Sequence, residues 1–267
     1  METLRVAVLT CGDLGLEVAV ALTQLAGVRG VSVLTSPYRF KHRTPLQQMK
    51  HVYRMEGPGE VVRAIARKAG ILPRPAATNR GSDWTHAATQ AGVTIVPVDD
   101  FHSTTARAAL AGLKPDLGVV AGTYILRKEV FAIPRLGCIN LHSGKAPEYR
   151  GAAPGFWELY NGESSVGITI HWVTEKLDAG TILHQELFPL EAAPAQDPLA
   201  YLLHYRSEVL RPNGVRLLTA AVADIAAGRG TGVPQNEGAS REFRSPTYRD
   251  KQELRRRVRV RRRQVDQ

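Results

Sequence analysis

The sequence predicts an α/β protein, a Rossmann-like twisted, mostly parallel sheet with helices on both faces. Three observations carry that reading. The chain opens with an apolar strand pattern, "LRVAVLT", then a glycine turn, an apolar-periodic helix and a second strand, "VRGVSVLTS". Strand, helix and strand in that order make a βαβ unit, and such units build parallel sheets covered by helices. The alternation then continues, and with 43% hydrophobic and 22% charged residues over 267 positions the chain can bury one large core.

The first helix pattern, "LEVAVALTQLAG", has the 3.6-residue period of an amphipathic helix and ends at glycine. Gly12 and Gly15 do not complete the three-glycine dinucleotide fingerprint, so no nicotinamide cofactor is expected. Residues 38–58 are basic and aromatic and read as a loop followed by a short helix. In them Lys41, His42, Arg43 and Arg54 are candidates to meet an anion, although a solvated face is the simpler reading. Residues 71–82, rich in Pro, Gly and small polar types, read as a surface loop. Then follow a helix in "DWTHAATQAG", a strand in "VTIVPV", a helix in "STTARAALAGL" and a strand in "PDLGVVAGTY". A short helix, "RKEVFAI", precedes the strand "GCINLH". "SVGITIHWV" and "GTILHQELFPL" alternate as two strands of a hairpin joined by "TEKLDAG". A long helical pattern runs from Pro198 to Ala227, with a kink expected at Pro212 and Asn213-Gly214. The expected organisation is a catalytic domain over residues 1–228 and a short arginine-rich extension over 229–267.

No apolar run reaches the roughly 18 residues a membrane span needs, and the N-terminus lacks the features of a secretory signal. Cys11 and Cys138 lie in separate apolar strands, which argues against a disulfide framework or a metal cluster; a cytoplasmic location and no metal are expected. Eleven basic and four acidic residues fall after residue 239, so this tail carries +7 of the net +10. The balance describes the tail rather than the body. A solvated end is the plain reading of the tail, and an arm for RNA or another polyanion is the sharper one. A homodimer is a further expectation.

Within "GCINLH", Asn140 and His142 are two apart on a strand, so they point to one face while Ile139 and Leu141 point to the other. Taken singly, His142 reads as a satisfied edge histidine, Asn140 as a turn former, and Asp178 of "KLDAG" as a turn residue. Their company changes that. "KPDLGVVAGTYIL", "RLGCINLH", "YRGAAPGFWELYNGE", "VGITIHWV" and "EKLDAGTILHQE" follow one another in an order and spacing that resembles the folate-dependent formyltransferases.

The resemblance implies that Asn140, His142 and Asp178 are the catalytic trio, with 10-formyltetrahydrofolate as the one-carbon donor and an amine as acceptor. Those residue types suit the chemistry. An amide N–H of Asn140 stabilises the oxyanion formed during acyl transfer. His142 donates to the oxyanion or takes the amine's proton, and Asp178 stabilises an imidazolium or holds a proton-relaying water. The resemblance also implies a reduced-folate pocket between Tyr124, Ile125 and Leu126 on one side and Val173, Thr174, Glu175 and Leu177 on the other. Lys145, Arg150 and His171 are the acceptor-side candidates, with Arg150 equally readable as structural and His171 as a strand histidine facing one side of the sheet, and Pro154 is expected in the first turn of the next helix.

Departures from the family bear on the acceptor. The loop after His142 reads "SGKAP", where relatives have apolar residues, so Lys145 points to a different, anionic acceptor. Asp13 in "CGDLGLE" stands where the glycinamide ribonucleotide enzymes cradle a phosphate, which disfavours that role. The roughly 40 residues after 227 are too few for the C-terminal barrel of methionyl-tRNA formyltransferases, and the deformylase's extra N-terminal domain is not seen. A nucleotide-linked amino sugar is the first expectation for the acceptor, then a small amine of amino-acid or siderophore type, then tRNA. The rivals are a formyltetrahydrofolate hydrolase and an RNA-binding protein on a non-catalytic formyltransferase fold.

Overall fold

The structure is a computed structural model that describes residues 3–38, 44–73 and 81–265. Lys41, His42 and Arg43, and residues 74–80 of the expected surface loop, lie outside the described residues. Chain order is β1 (Leu4–Thr10), α1 (Asp13–Leu22), β2 (Val28–Thr35), α2 (Pro45–Glu56), α3 (Pro58–Lys68), α4 (Gly81–Gln90), β3 (Thr94–Pro97), α5 (Thr104–Gly112) and β4 (Leu117–Val120). It continues with α6 (Lys128–Phe131), β5 (Cys138–His142), β6 (Arg150–Gly151), α7 (Phe156–Asn161), β7 (Ser165–Trp172), β8 (Ile182–Pro189) and α8 (Pro198–Tyr205). A π-helical turn, Arg206–Leu210, joins α8 to α9 (Arg211–Ala226), and β9 (Glu242–Phe243) and α10 (Tyr248–Val265) follow.

Seven strands form one sheet in the order β3-β2-β1-β4-β5-β7-β8, with the first five parallel and β7 and β8 antiparallel at one side. Strand alternation divides the core in two. Val6 and Val8 of β1, Val119 of β4 and Ile139 and Leu141 of β5 face α1 and α9, whereas Ala7, Leu9, Val120 and Cys138 face Phe101, Leu110 of α5 and Phe131 of α6. Asn140 and His142 share the face of Cys138. They stand at the C-terminal end of β5, where open α/β sheets bind their ligands.

Four elements differ from the sequence expectation. The helix expected in the basic segment is α2, and a second helix, α3, that the sequence reading did not include follows it. Thr44 caps α2 in a reciprocal box with Gln47, and Gly57, at φ +90, turns the chain directly into α3. A Cβ at Gly57 would sit 2.5 Å from the Tyr248 ring, so the turn is pressed against α10. Pro154 precedes α7 instead of starting it, and its carbonyl accepts Nε and Nη2 of Arg206 at 3.0 and 2.8 Å. The helix after Pro198 is disturbed one turn before Pro212, not at Asn213-Gly214. Proline has no N–H to give the carbonyl four residues back, and the turn ahead of it widens into the π segment. Gly214 instead brings α9 close to β5, since a Cβ there would lie 3.0 Å from Leu141 Cδ1.

The arginine-rich end is a docked helix. Leu254 and Val258 of α10 are buried in the larger core, and Arg261 donates to the carbonyls of Leu159, Tyr160 and Ala192. Among the described residues, no helix is long and apolar enough to cross a membrane.

Candidate active site

The antiparallel pairing of β5 with β7 places His171 opposite Asn140 and Thr169 opposite His142, and β8 places Gln185 opposite Thr169. This row of polar residues holds the loop that leaves β5. Thr169 Oγ1 donates to the Gly144 carbonyl at 2.7 Å, and Gln185 Nε2 donates to the Ala146 carbonyl at 2.6 Å. Thr169 sits two residues before His171, so strand alternation alone puts it on the same face. That signal was present in the sequence.

Asp178 arrives from the β7–β8 connection with φ +47, a conformation that Asp adopts more readily than most residues. Its carboxylate lies among two donors and two imidazoles. Oδ2 accepts the Gly151 N–H at 2.9 Å and stands 3.5 Å from His142 Nδ1; Oδ1 is 3.4 Å from Asn140 Nδ2 and 3.5 Å from His171 Nε2. The trio is therefore brought together, with His171 as a fourth member.

Carbonyl partners fix the imidazole tautomers, because a carbonyl only accepts. His142 Nε2 donates to the Tyr149 carbonyl at 2.7 Å, which leaves the Nδ1 lone pair toward Asp178. His171 Nδ1 donates to the Trp172 carbonyl at 2.9 Å, and its Nε2 accepts from Asn140 Nδ2 at 3.2 Å. Burial pushes the His142 pKa below 6.5, opposed by the Asp178 charge. Burial would raise the Asp178 carboxyl, but the two imidazoles beside it and the Gly151 N–H outweigh burial and hold the pKa at about 2. Near neutral pH the site thus sets a neutral imidazole against an ionised carboxylate.

The folate-side candidates fall into two groups. Ile125 is 70% exposed, and Thr174 and Glu175 are also exposed, with Glu175 Oε1 2.9 Å from Lys128 Nζ. Leu177 is half-buried, and Val173 packs with Tyr124 on the smaller core. The Leu126 side chain is buried in that same core. The Tyr124 hydroxyl donates to Asp100 Oδ1 at 3.0 Å and accepts the Phe101 N–H at 2.8 Å. Asp100 also lines a cavity of about 880 Å3, with Cys11, Asp13, Ser36, Asp99 and Ser103 among others, at the C-terminal ends of β1 to β3.

On the acceptor side, Lys145 lies on the loop after His142 and pairs with Glu148 at 3.3 Å. Arg150 takes the structural one of its two readings. Its side chain is buried, and its guanidinium is taken up by Gln235 Oε1, at 3.1 and 2.6 Å from Nε and Nη2, and by Glu237. Parallel pairing of β6 with β9 holds Arg150 under the C-terminal segment. Among the described residues, no group of three His, Cys, Asp or Glu side chains is placed to hold a metal ion.

A family described as "Formyl transferase" matches residues 46–204. The chain is 36% identical over 167 residues to the methionyl-tRNA formyltransferase of Roseiflexus sp. (strain RS-1), covering 61% of this chain and 49% of that protein. It thus spans about half the length of the curated relatives it matches. A sugar N-formyltransferase from a Shewanella species superposes with a TM-score of 0.58 at 17% identity, over 95% of this chain and 87% of the other. An N-formyltransferase from Helicobacter canadensis, solved with folinic acid and dTDP-3-aminofucose, superposes with a TM-score of 0.54 at 15% identity, over 91% and 71%. The two superpositions speak for the fold, and the family match covers more than half of the sequence. On that match the chain belongs to the formyltransferase family.

Proposed function

We propose that the protein transfers a formyl group from 10-formyltetrahydrofolate to the primary amine of a small acceptor, with a nucleotide-linked amino sugar as the first candidate. The observation that carries this reading is the convergence of Asn140 and His142, from the end of β5, on the Asp178 carboxylate at 3.4 and 3.5 Å. In the reaction the amine nitrogen bonds to the formyl carbon, the bond from that carbon to N10 breaks, and the amine's proton ends on N10. Each residue has a task in that exchange. Asn140 turns the more weakly held of its two amide hydrogens, the one 3.4 Å from Asp178, toward the carbonyl oxygen as charge builds there. His142 Nδ1 takes the amine's proton, which its depressed pKa permits at neutral pH. Asp178, ionised and adjacent, stabilises the imidazolium until the proton moves on.

The 10-formyltetrahydrofolate would supply the activated one-carbon unit, and the residues present fit it. Ile125 offers an exposed apolar side chain beside the site, and the Lys128–Glu175 pair ties its segment to the one carrying Asp178. The folinic acid and amino sugar of the Helicobacter canadensis neighbour support the same pairing of donor and acceptor class. A second reading, transfer to an aminoacyl-tRNA, draws on the names of the curated relatives and on Arg249, Arg256, Arg259 and Arg263, which are exposed along α10.

The test is a panel of amines with 10-formyltetrahydrofolate: nucleotide amino sugars, ornithine-like amines and charged initiator tRNA. Formylation of an amino sugar is expected. Formylation of tRNA alone supports the second reading, and formate released equally with and without amine marks a hydrolase. Asn140→Ala, His142→Ala and Asp178→Ala are each expected to lower kcat about 100-fold or more while the fold stays intact by circular dichroism. Wild-type turnover in all three would overturn the assignment.

A further inference from the structure

We propose that Gln235, in the C-terminal segment outside the matched family region, is a positioning residue that holds Asp178 in register with His142. This rests on the reading of Asp178 as a member of the catalytic trio. The carboxylate geometry depends on two loops, the one after His142 and the β7–β8 connection, and neither is anchored to the other by regular sheet pairing. Residues 230–243 run across both. Val233 and Ile182 exchange two backbone hydrogen bonds of 2.7 Å, and Trp172 Nε1 donates to the Gly230 carbonyl at 3.0 Å. Further on, the Arg241 N–H donates to Pro147, and the Arg150 and Ala152 N–H groups donate back to Arg241 and Phe243.

Gln235 is the point where the two loops meet. Its Nε2 donates to the carbonyl of Asp178 itself at 2.9 Å and to that of Gly180 at 2.7 Å. Its Oε1 accepts Nε and Nη2 of the buried Arg150. The residue after Arg150 is Gly151, whose N–H donates to Asp178 Oδ2. One side-chain amide therefore closes a ring that fixes Asp178 at both its backbone and its carboxylate. Both amide hydrogens and both oxygen lone pairs are used.

No other residue type reproduces this pattern. Glutamate at 235 keeps the acceptor for Arg150 but turns an oxygen toward two carbonyl oxygens. Alanine loses all four bonds and leaves the Arg150 guanidinium with Glu237 as its remaining partner. A shift of about 1 Å in Asp178 is enough to cost on the order of 100-fold in rate.

The experiment compares Gln235→Glu, Gln235→Ala and Asp178→Asn with wild type in three readouts. These are kcat and KM for 10-formyltetrahydrofolate with the amine the panel identifies, thermal midpoint, and the titration of His142 followed by NMR. Both Gln235 variants are expected to lose about 10- to 100-fold in kcat, with KM changed less than about threefold. The His142 midpoint is expected to fall, because the charge that raises it has moved away, and to fall as it does in Asp178→Asn. Glutamate keeps the arginine partner, so it reads the positioning even if the alanine variant is poorly folded. Unchanged kcat and an unchanged His142 midpoint in the folded variants would overturn the proposal, as would a lower thermal midpoint without movement of His142. Wild-type kcat in Asp178→Asn would instead overturn the trio, while the NMR titration would still show whether Gln235 governs the carboxylate.

Discussion

Asp178 and Glu158 are both buried carboxyls, and their surroundings push them in opposite directions. Asp178 is held at about 2 against 3.8, despite burial, by imidazoles and an N–H. Its contribution to stability is present above pH 3.8 and is lost as pH falls toward 2; it amounts to about 2 kcal/mol at about 1.4 kcal/mol per pKa unit. For Glu158, on α7, burial outweighs two backbone hydrogen bonds and the Arg206 charge. Burial raises it to about 7, and its Oε1 has no hydrogen-bond partner. Its contribution is present below pH 4.5 and is lost as pH rises through 7. Glu158→Gln is therefore expected to raise the thermal midpoint at pH 8 and to leave it nearly unchanged at pH 4. His142 adds a kinetic limb. Transfer needs it neutral, so kcat is expected to rise with pH through a midpoint below 6.5, and that midpoint moves lower still in Asp178→Asn. Asn140 and His142 were legible because strand alternation converts a two-residue spacing into a shared face. Arg150 was not, since no periodicity says which polar side chain will be covered by a segment 85 residues away. The same long-range packing hid Gln235.

At the scale of elements, strands and their order were read correctly wherever the side-chain period was two, including the β7–β8 hairpin. Elements set by backbone chemistry were harder. The π turn before Pro212 arises from a missing N–H one turn later, and α3 follows α2 across a single glycine, so neither leaves a clean boundary in the sequence. The β7–β8 connection shows how strictly backbone space fixes the site. A Cβ on Gly180 would lie 1.7 Å from the Trp172 carbonyl oxygen, and backbone at that distance has no side-chain rotamer through which to yield. Gly180→Ala must therefore displace the segment that carries Asp178. The variant is expected to lose about 2 kcal/mol or more of stability in urea and at least 10-fold in kcat. Gly12→Ala, with open space around its Cβ, serves as the control that leaves stability nearly unchanged.

For the molecule as a whole, the open question in the sequence was whether the basic end belongs to the fold. Composition pointed to a solvated arm, because Leu254, Val258, Val260 and Val265 are the only aliphatic residues of α10. What composition cannot show is the phase. Leu254 and Val258 are four apart on one face, and both are fully buried against the core. The arginines beside them satisfy the fold. Arg261 caps the exposed carbonyls at the end of α7, Arg257 lies 4.1 Å over the Tyr160 ring, and Arg255 pairs with Asp197 at the start of α8. On the opposite face Arg249, Arg259 and Arg263 point to solvent. The helix therefore divides into a stabilising side and a free basic side, and substitutions can separate them. Leu254→Ala empties a fully buried site and is expected to cost about 2–5 kcal/mol in chemical denaturation. Replacing Arg249, Arg259 and Arg263 together by Gln touches no buried contact and is expected to shift stability by less than about 0.5 kcal/mol per site. If the Leu254 variant matched wild type in stability, α10 would be an appendage after all. The triple Gln variant then measures the other side directly. Amine formylation that is unchanged in it assigns the basic face no part in small-acceptor turnover, whereas a loss of salt-dependent RNA binding would show what that face attracts.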